Sequence, residues 1–138
     1  MSTMWMRFSM RYLKYWAPPI LYMALIFAVS SLEQPPLPMP KFEWLSIDKL
    51  YHFIEYGILS VLLTLAFVNA PPKWLPVGWI WTVAALISIL YGVSDELHQM
   101  YVPGRFATLS DLISDAVGAI AGVVGVYFYY RKQNRKRN

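Results

Sequence analysis

Long runs of apolar residues, separated by short polar or proline-rich stretches, divide the chain into four predicted helices. A helix that crosses the hydrocarbon core of a bilayer needs roughly 17–25 mostly apolar residues. We predict such spans at about residues 16–31, 50–68, 75–93 and 109–130. Pro18 and Pro19 are expected to open the first helix, because proline suits the first helical turn but not the interior. Ser46 is expected to be the N-cap of the second helix.

Prolines also mark the connections between the predicted helices. The segment 34–40 contains four prolines, which excludes a helix and predicts an extended loop. Pro71 and Pro72 end the second helix in a short turn. A membrane β-barrel is excluded, because it needs at least about eight strands of alternating polarity. The predicted fold class is an all-α integral membrane protein, a four-transmembrane-helix bundle.

The composition supports a membrane protein and excludes several other classes. Hydrophobic residues make up 57% of the chain and charged residues 14%, whereas soluble domains carry about 25% charged residues. So much apolar surface excludes intrinsic disorder. The absence of cysteine from the sequence excludes disulfides, cysteine-ligated metals and cysteine nucleophiles. We predict a single membrane domain over residues 1–130 and a basic tail over residues 131–138.

The distribution of charge predicts how the chain lies in the membrane. Nine of the twelve basic residues lie before the first span, after the fourth span or in the turn between the second and third spans. The positive-inside rule therefore predicts that both termini are cytoplasmic. All eight acidic residues lie in or beside the two outer connections. We expect a multi-pass protein of the plasma membrane whose basic ends contact anionic lipid, with no nucleic-acid partner.

The start of the chain also resembles a secretory signal peptide. A basic segment and an apolar run precede Ala28, Val29 and Ser30, which could form a cleavage site. Cleavage would leave three spans and place the basic C-terminal tail outside, against the positive-inside rule. We therefore expect the first span to be retained.

Polar residues interrupt the second span near its start. Asp48, His52 and Glu55 have the spacing i, i+4, i+7, which places them on one face of a helix. Glu55 lies about two turns into that helix, where an unpaired carboxylate is costly. Its carboxylate is therefore expected to be neutral, paired or directed at a wet cavity.

Further polar residues lie where the third span ends. Asp95, His98 and Gln99 share one face of the third helix, and Glu96 is expected to point elsewhere. A turn with Arg105 follows and places a guanidinium just above the membrane surface.

The fourth span begins with another polar face. Asp111 and Asp115 are followed on the same face by Gly118 and Gly122. The two glycines form a small-residue seam that lets another helix approach closely. Three helices thus bring polar faces to the extracytoplasmic side, and we interpret this convergence as the functional site. The titratable or cationic members of this set are Asp48, His52, Glu55, Asp95, His98, Arg105, Asp111 and Asp115.

Each of these residues also has a purely structural interpretation. His52 and Glu55 could form an interhelical hydrogen bond that fixes the register of two helices. Asp111 could be a helix N-terminal charge, and Arg105 could pair with a phospholipid phosphate. These interpretations explain single residues but not the convergence of so many polar groups on one side.

The polar segments together resemble those of the VanZ-like membrane proteins. The resemblance rests on residues 48–57, 91–99, 103–105 and 111–118, and it extends over about residues 11–130. The founding member of that family is associated with low-level resistance to the glycopeptide teicoplanin. VanZ-like proteins have also been grouped with membrane enzymes that exchange or hydrolyse lipid head groups. The resemblance therefore implies a role in the cell envelope, without assigning a substrate to this chain.

The first functional hypothesis is an enzyme that acts on a phosphate-linked lipid head group at the outer leaflet. Such chemistry needs a cation for the phosphate and groups that transfer protons. The candidate catalytic residues are His52, Glu55, Asp95, His98 and Asp115. The candidate residues for binding the substrate or its phosphate are Arg105, Asp48, Lys49, Gln99 and Asp111.

Cofactors and partners are less defined by the sequence. The carboxylates could orient a histidine or hold a divalent cation, but there is no tight metal motif such as H-E-x-x-H. The alternative hypothesis is a non-catalytic protein that binds or shields a lipid-linked cell-wall precursor or a glycopeptide. An ion path is disfavoured, because the cytoplasmic halves of the predicted spans carry no polar cluster. Membrane lipids are the expected partners, and a homo-oligomer is compatible with the short helices.

Overall fold

Four long helices form the protein. The computed structural model describes residues 2–33, 47–105 and 107–137, with side chains in the first helix described from residue 10 onward. The helices are α1 (Ser2–Ser30), α2 (Ile47–Asn69), α3 (Ile80–Gln99) and α4 (Leu109–Arg137), with a 3₁₀ turn at Val77–Trp79. All four are long and apolar enough to cross a membrane, and these described residues include no strand. The predicted all-α membrane fold with four spanning helices is confirmed.

Contacts at the two ends of the bundle show the direction of each helix. At one end, Arg11 Nε of α1 donates to the carbonyl of Asn69, and Asn69 Nδ2 donates to the hydroxyl of Tyr130 in α4. At the other end, Ser31 Oγ lies 3.0 Å from His98 Nε2 of α3. Thus α1 and α3 run in one direction, and α2 and α4 run in the other. We call the end where α1 and α3 finish the far end; α1 starts and α4 finishes at the opposite end.

Two glycines of α4 allow it to pack closely against α2. A Cβ atom on Gly118 would collide with the carbonyl group of Phe53. A Cβ atom on Gly122 would collide with the carbonyl oxygen of Gly57 and the hydroxyl of Ser60. The two parallel helices are therefore in backbone contact, as the predicted small-residue seam requires.

Adding a methyl group at this seam should destabilise the bundle. We expect Gly118→Ala to reduce the free energy of unfolding by about 1–3 kcal/mol, because overpacking forces the backbones apart. Gly125→Ala is the matched control, since nothing lies within 4 Å of a Cβ atom at that position. The measurement is the thermal unfolding midpoint of each variant in detergent. Equal midpoints for both variants would contradict a tight contact at Gly118.

The predicted start of the first helix is wrong. Helix α1 begins at Ser2 and continues through Pro18 and Pro19, which lie in its interior. Each proline removes one backbone hydrogen bond, but membrane helices tolerate such losses when neighbouring groups satisfy the freed carbonyl groups. The proposed cap at Ser46 and the proline-rich segment 34–40 lie outside the described residues.

The third helix lies further along the chain than its predicted span. A turn at Pro76 delays its start to Ile80, and it continues to Gln99. The apolar run ends earlier, but the polar side chains in the last turns find partners, such as Gln99 Nε2 with Asp95 Oδ2 at 2.8 Å. The helix can therefore continue, and it carries its polar residues into the far end of the bundle.

Candidate functional site

A buried pair of side chains lies between α2 and α4 at the far end. His52 is in the second turn of α2 and Asp115 is in the second turn of α4. Because the two helices are parallel and begin at the same end, these turns lie side by side. His52 Nδ1 is 2.9 Å from Asp115 Oδ1. A carboxylate only accepts hydrogen bonds, so the Nδ1–H group of His52 donates to it.

This pair is enclosed by α3. His52 is 7% exposed and Asp115 is 0% exposed. A Cβ atom on Gly92 of α3 would lie 3.1 Å from Asp115 Oδ2 and 3.3 Å from Cε1 of Tyr56. Gly92 therefore gives α3 the space to pack directly over the carboxylate and shield it from its surroundings.

Glu96 belongs to this site, although the sequence analysis directed it elsewhere. It is only 6% exposed, and its Oε1 atom lies 3.9 Å from His52 Nδ1. Its other oxygen, Oε2, accepts a hydrogen bond from the backbone N–H of Thr108 at 3.0 Å. The predicted orientation of Glu96 was wrong because the buried face of α3 is centred on Gly92 and not on His98. Counting i+3 and i+4 from Gly92 selects both Asp95 and Glu96, so the glycine was the missed signal.

Asp95 and Gln99 form a second buried group on α3. Gln99 Nε2 donates to Asp95 Oδ2 at 2.8 Å, and both side chains are buried. The other oxygen, Asp95 Oδ1, has no hydrogen-bond partner in the described part of the chain. Glu55 of α2 is half-buried, and its carboxylate interacts electrostatically with Asp95 and with His52. Asp95 and Gln99 therefore share one face of α3, as predicted, and a hydrogen bond joins them.

Further charged residues lie beside the central pair, at the starts of α2 and α4. Lys49 Nζ lies 4.0 Å from Asp111 Oδ1. Thr108 caps α4, because its Oγ1 accepts the backbone N–H of Asp111 at 3.2 Å, and its hydroxyl donates to Asp111 Oδ2. Asp48, His52 and Asp111 each offer a donor atom within 4.8 Å of the others. We call His52, Glu96 and Asp115 the central cluster, and Asp48, Lys49 and Asp111 its rim.

His98 and Arg105 contact the end of α1. Ser31 Oγ donates to the carbonyl of Phe27, so His98 Nε2–H donates to Ser31 Oγ, at 3.0 Å. The rings of Phe27 and His98 also pack, with centroids 4.5 Å apart. Arg105 donates through Nε to the carbonyl of Leu32, just after α1, at 3.1 Å and through Nη2 to the carbonyl of Val29 in α1 at 3.2 Å. The structure therefore divides the predicted site residues into a central group and a group that holds α1, and the suggested roles of His98 and Arg105 in chemistry stay predictions.

Comparison with known proteins places this site in a family. The family model described as VanZ/LLP1 matches residues 2–130, which is nearly the whole chain. The chain belongs to the VanZ/LLP1 family. The resemblance noted from the polar segments is confirmed, and the matched region contains the central cluster and its rim. No curated protein and no solved structure matches the chain.

In this VanZ/LLP1 protein, the central cluster combines one imidazole, which donates a hydrogen bond, with two carboxylates. The imidazole and carboxylates come from three different helices, so small movements of those helices would change the distances between them. Among the described residues, two sets of three side chains have donor atoms close enough to share one metal ion. These sets are Asp48 with His52 and Asp111, and His52 with Glu96 and Asp115.

Proposed function

We propose that this VanZ/LLP1 protein is a membrane enzyme that acts on a phosphate-linked lipid head group. The observation that supports the proposal is the buried His52–Asp115 pair, with Glu96 beside it. An imidazole that is held by a buried carboxylate and lies near a second one is suited to activating a nucleophile. Such a buried polar cluster inside a membrane bundle is costly, and function is the usual reason for that cost.

The depth of the cluster suits a lipid head group. His52 is five residues after the first residue of α2, which corresponds to roughly 8 Å along a helix at 1.5 Å per residue. A phosphate at the membrane interface could therefore meet the cluster from the start of α2. Lys49 lies in the first turn of α2 with 36% of its side chain exposed, and its compact ammonium group is suited to a phosphate oxygen.

The distribution of basic residues indicates on which side of the membrane the far end lies. The far end is opposite the end where α1 begins and α4 finishes. The basic residues are concentrated at those two chain ends, which the positive-inside rule assigns to the cytoplasm. We therefore propose that the central cluster serves the extracytoplasmic leaflet and that the protein acts on the cell envelope.

A non-catalytic binding role is the second candidate. The surplus of carboxylates around His52, from Asp48, Glu96, Asp111 and Asp115, would suit a cationic group on an envelope component or a glycopeptide. Such a protein would shield its ligand without altering it. The teicoplanin resistance associated with the founding member would then arise from binding rather than from lipid chemistry.

Comparative lipidomics separates the two candidates. Cells would express the wild type, His52→Ala, Asp115→Asn or the control Glu33→Gln at matched membrane levels; Glu33 is exposed at the far end. We expect one lipid species to change with the wild type and Glu33→Gln, and to revert in both cluster variants. Identical lipid profiles in all strains would contradict the enzyme and favour the binding role.

A further inference from the structure

His52, Glu96 and Asp115 each offer a ligand atom within 4.8 Å of the others. His52 Nδ1 lies 2.9 Å from Asp115 Oδ1 and 3.9 Å from Glu96 Oε1. Ligand atoms that are each about 2.0–2.2 Å from a metal are separated from one another by roughly 3–4 Å. We propose that His52, Glu96 and Asp115 bind a divalent transition-metal cation, with Zn²⁺ and Mn²⁺ as the fitting ions.

An unpartnered oxygen of Glu96 is an independent indication of a ligand. The Oε2 atom is bonded to Thr108, but Oε1 is buried and has no hydrogen-bond partner in the described part of the chain. With the residue 6% exposed, Oε1 is cut off from bulk water. A buried carboxylate oxygen without a partner is unfavourable, and Oε1 is the atom that faces His52. A cation at this position would give it the missing partner.

The negative charges around His52 also favour the binding of a cation. The carboxylates of Asp48 and Asp111 each offer an oxygen within 4.8 Å of a ring nitrogen of His52. The ammonium group of Lys49 lies 4.0 Å from Asp111 Oδ1. Carboxylates thus outnumber basic groups, and an anionic phosphate would be repelled by them. A bound divalent cation would reverse that repulsion at the point where the phosphate must approach.

The donor set selects the kind of ion and leaves part of its coordination shell unfilled by protein. One imidazole nitrogen and two carboxylate oxygens suit Zn²⁺ or Mn²⁺, whereas Mg²⁺ and Ca²⁺ prefer oxygen ligands alone. Three protein ligands leave at least one position for water or a phosphate oxygen, as in catalytic sites. Binding requires Nδ1 of His52 to be free of a proton: a neutral imidazole then carries its proton on Nε2, and an imidazolium releases one proton to solvent. The role of the ion in catalysis rests on the proposed function, but its binding does not.

Metal binding by the purified protein tests the inference. The full chain in detergent would be stripped with EDTA, desalted, incubated with Zn²⁺ or Mn²⁺ and analysed for bound metal by mass spectrometry. We expect one ion per chain in the wild type and in the control Glu33→Gln. In Glu96→Gln we expect the affinity to fall by at least about tenfold. Glu96→Asp keeps a carboxylate and should bind more tightly than Glu96→Gln.

Several results would overturn the site. The first is that the wild type binds less than one metal ion per chain. The second is that Glu96→Gln binds the metal with the same affinity as the wild type, while size-exclusion profiles show that both proteins are folded. Lipid conversion that persists in the metal-free protein would overturn the role of the ion in catalysis and would leave the proposed function intact. Metal binding that depends on Glu96, with no lipid change in cells, would support the site and contradict the enzyme.

Discussion

Replacing His52 with leucine is expected to reduce the free energy of unfolding by about 3–5 kcal/mol, since it leaves the carboxylate of Asp115 buried and unpaired. Asp115 is fully buried, and its Oδ2 atom already has no hydrogen-bond partner in the described residues. Gly92 packs against the same carboxylate, so water cannot easily replace the lost imidazole. The measurement is the unfolding midpoint in detergent with EDTA present, which removes any contribution from metal.

A second substitution tests whether the buried charge of Asp115 causes the loss of stability in His52→Leu. Adding Asp115→Asn to His52→Leu removes the charge and should recover most of the lost stability, because a neutral amide is less costly to bury. Asp115→Asn alone keeps His52 and should cost less than His52→Leu. If the double variant is as unstable as the sum of the two single variants, the coupling between His52 and Asp115 is absent and the explanation fails.

Glu55→Gln is expected to reduce lipid turnover by about 10²–10⁴-fold, the usual contribution of a general acid or base. Glu55 is half-buried, one turn of α2 beyond His52, and its carboxylate interacts electrostatically with His52, Asp95 and Asp115. The amide keeps the size of the side chain but cannot transfer a proton. The readout is the rate of change of the lipid species that the wild type alters, in membranes with equal amounts of inserted protein.

The matched control for this experiment is Glu33→Gln. Glu33 is exposed just after α1, and the same chemical change there should leave turnover at the wild-type rate. Full activity of Glu55→Gln would remove Glu55 from the chemistry. Equal losses in both variants would indicate a general effect of charge at the far end instead of a specific proton transfer.

The fold was largely predictable because its signals are local. Apolar runs long enough to cross a bilayer give the number of helices, and the spacing of Asp111, Asp115, Gly118 and Gly122 gives the face of α4 that meets another helix. The boundaries were less accurate, because a helix can continue past its apolar run when its polar side chains find partners. Some of those partners lie in the same helix, as Asp95 does for Gln99, but others, such as Thr108 for Glu96, lie outside it.

The membership of the site was harder to predict, because it depends on how each helix is rotated. Asp95, Glu96 and His98 are nearly adjacent, yet Glu96 faces His52 while His98 faces Phe27 of α1. The sequence shows that these residues reach the same end of the membrane but not which neighbour each one meets. The partners of Arg105 were equally hard to predict. They are backbone carbonyl groups, which every residue has, so the sequence does not show which of them Arg105 contacts.

The direct contact between α2 and α4 has a consequence for how the protein is made. His52 and Asp115 are 63 residues apart, and the whole of α3 must be synthesised between them. During synthesis, α2 precedes α4, so His52 has no Asp115 partner until α4 has joined the bundle. The central cluster is therefore absent from any chain that stops before α4, and it can form only after α4 has inserted.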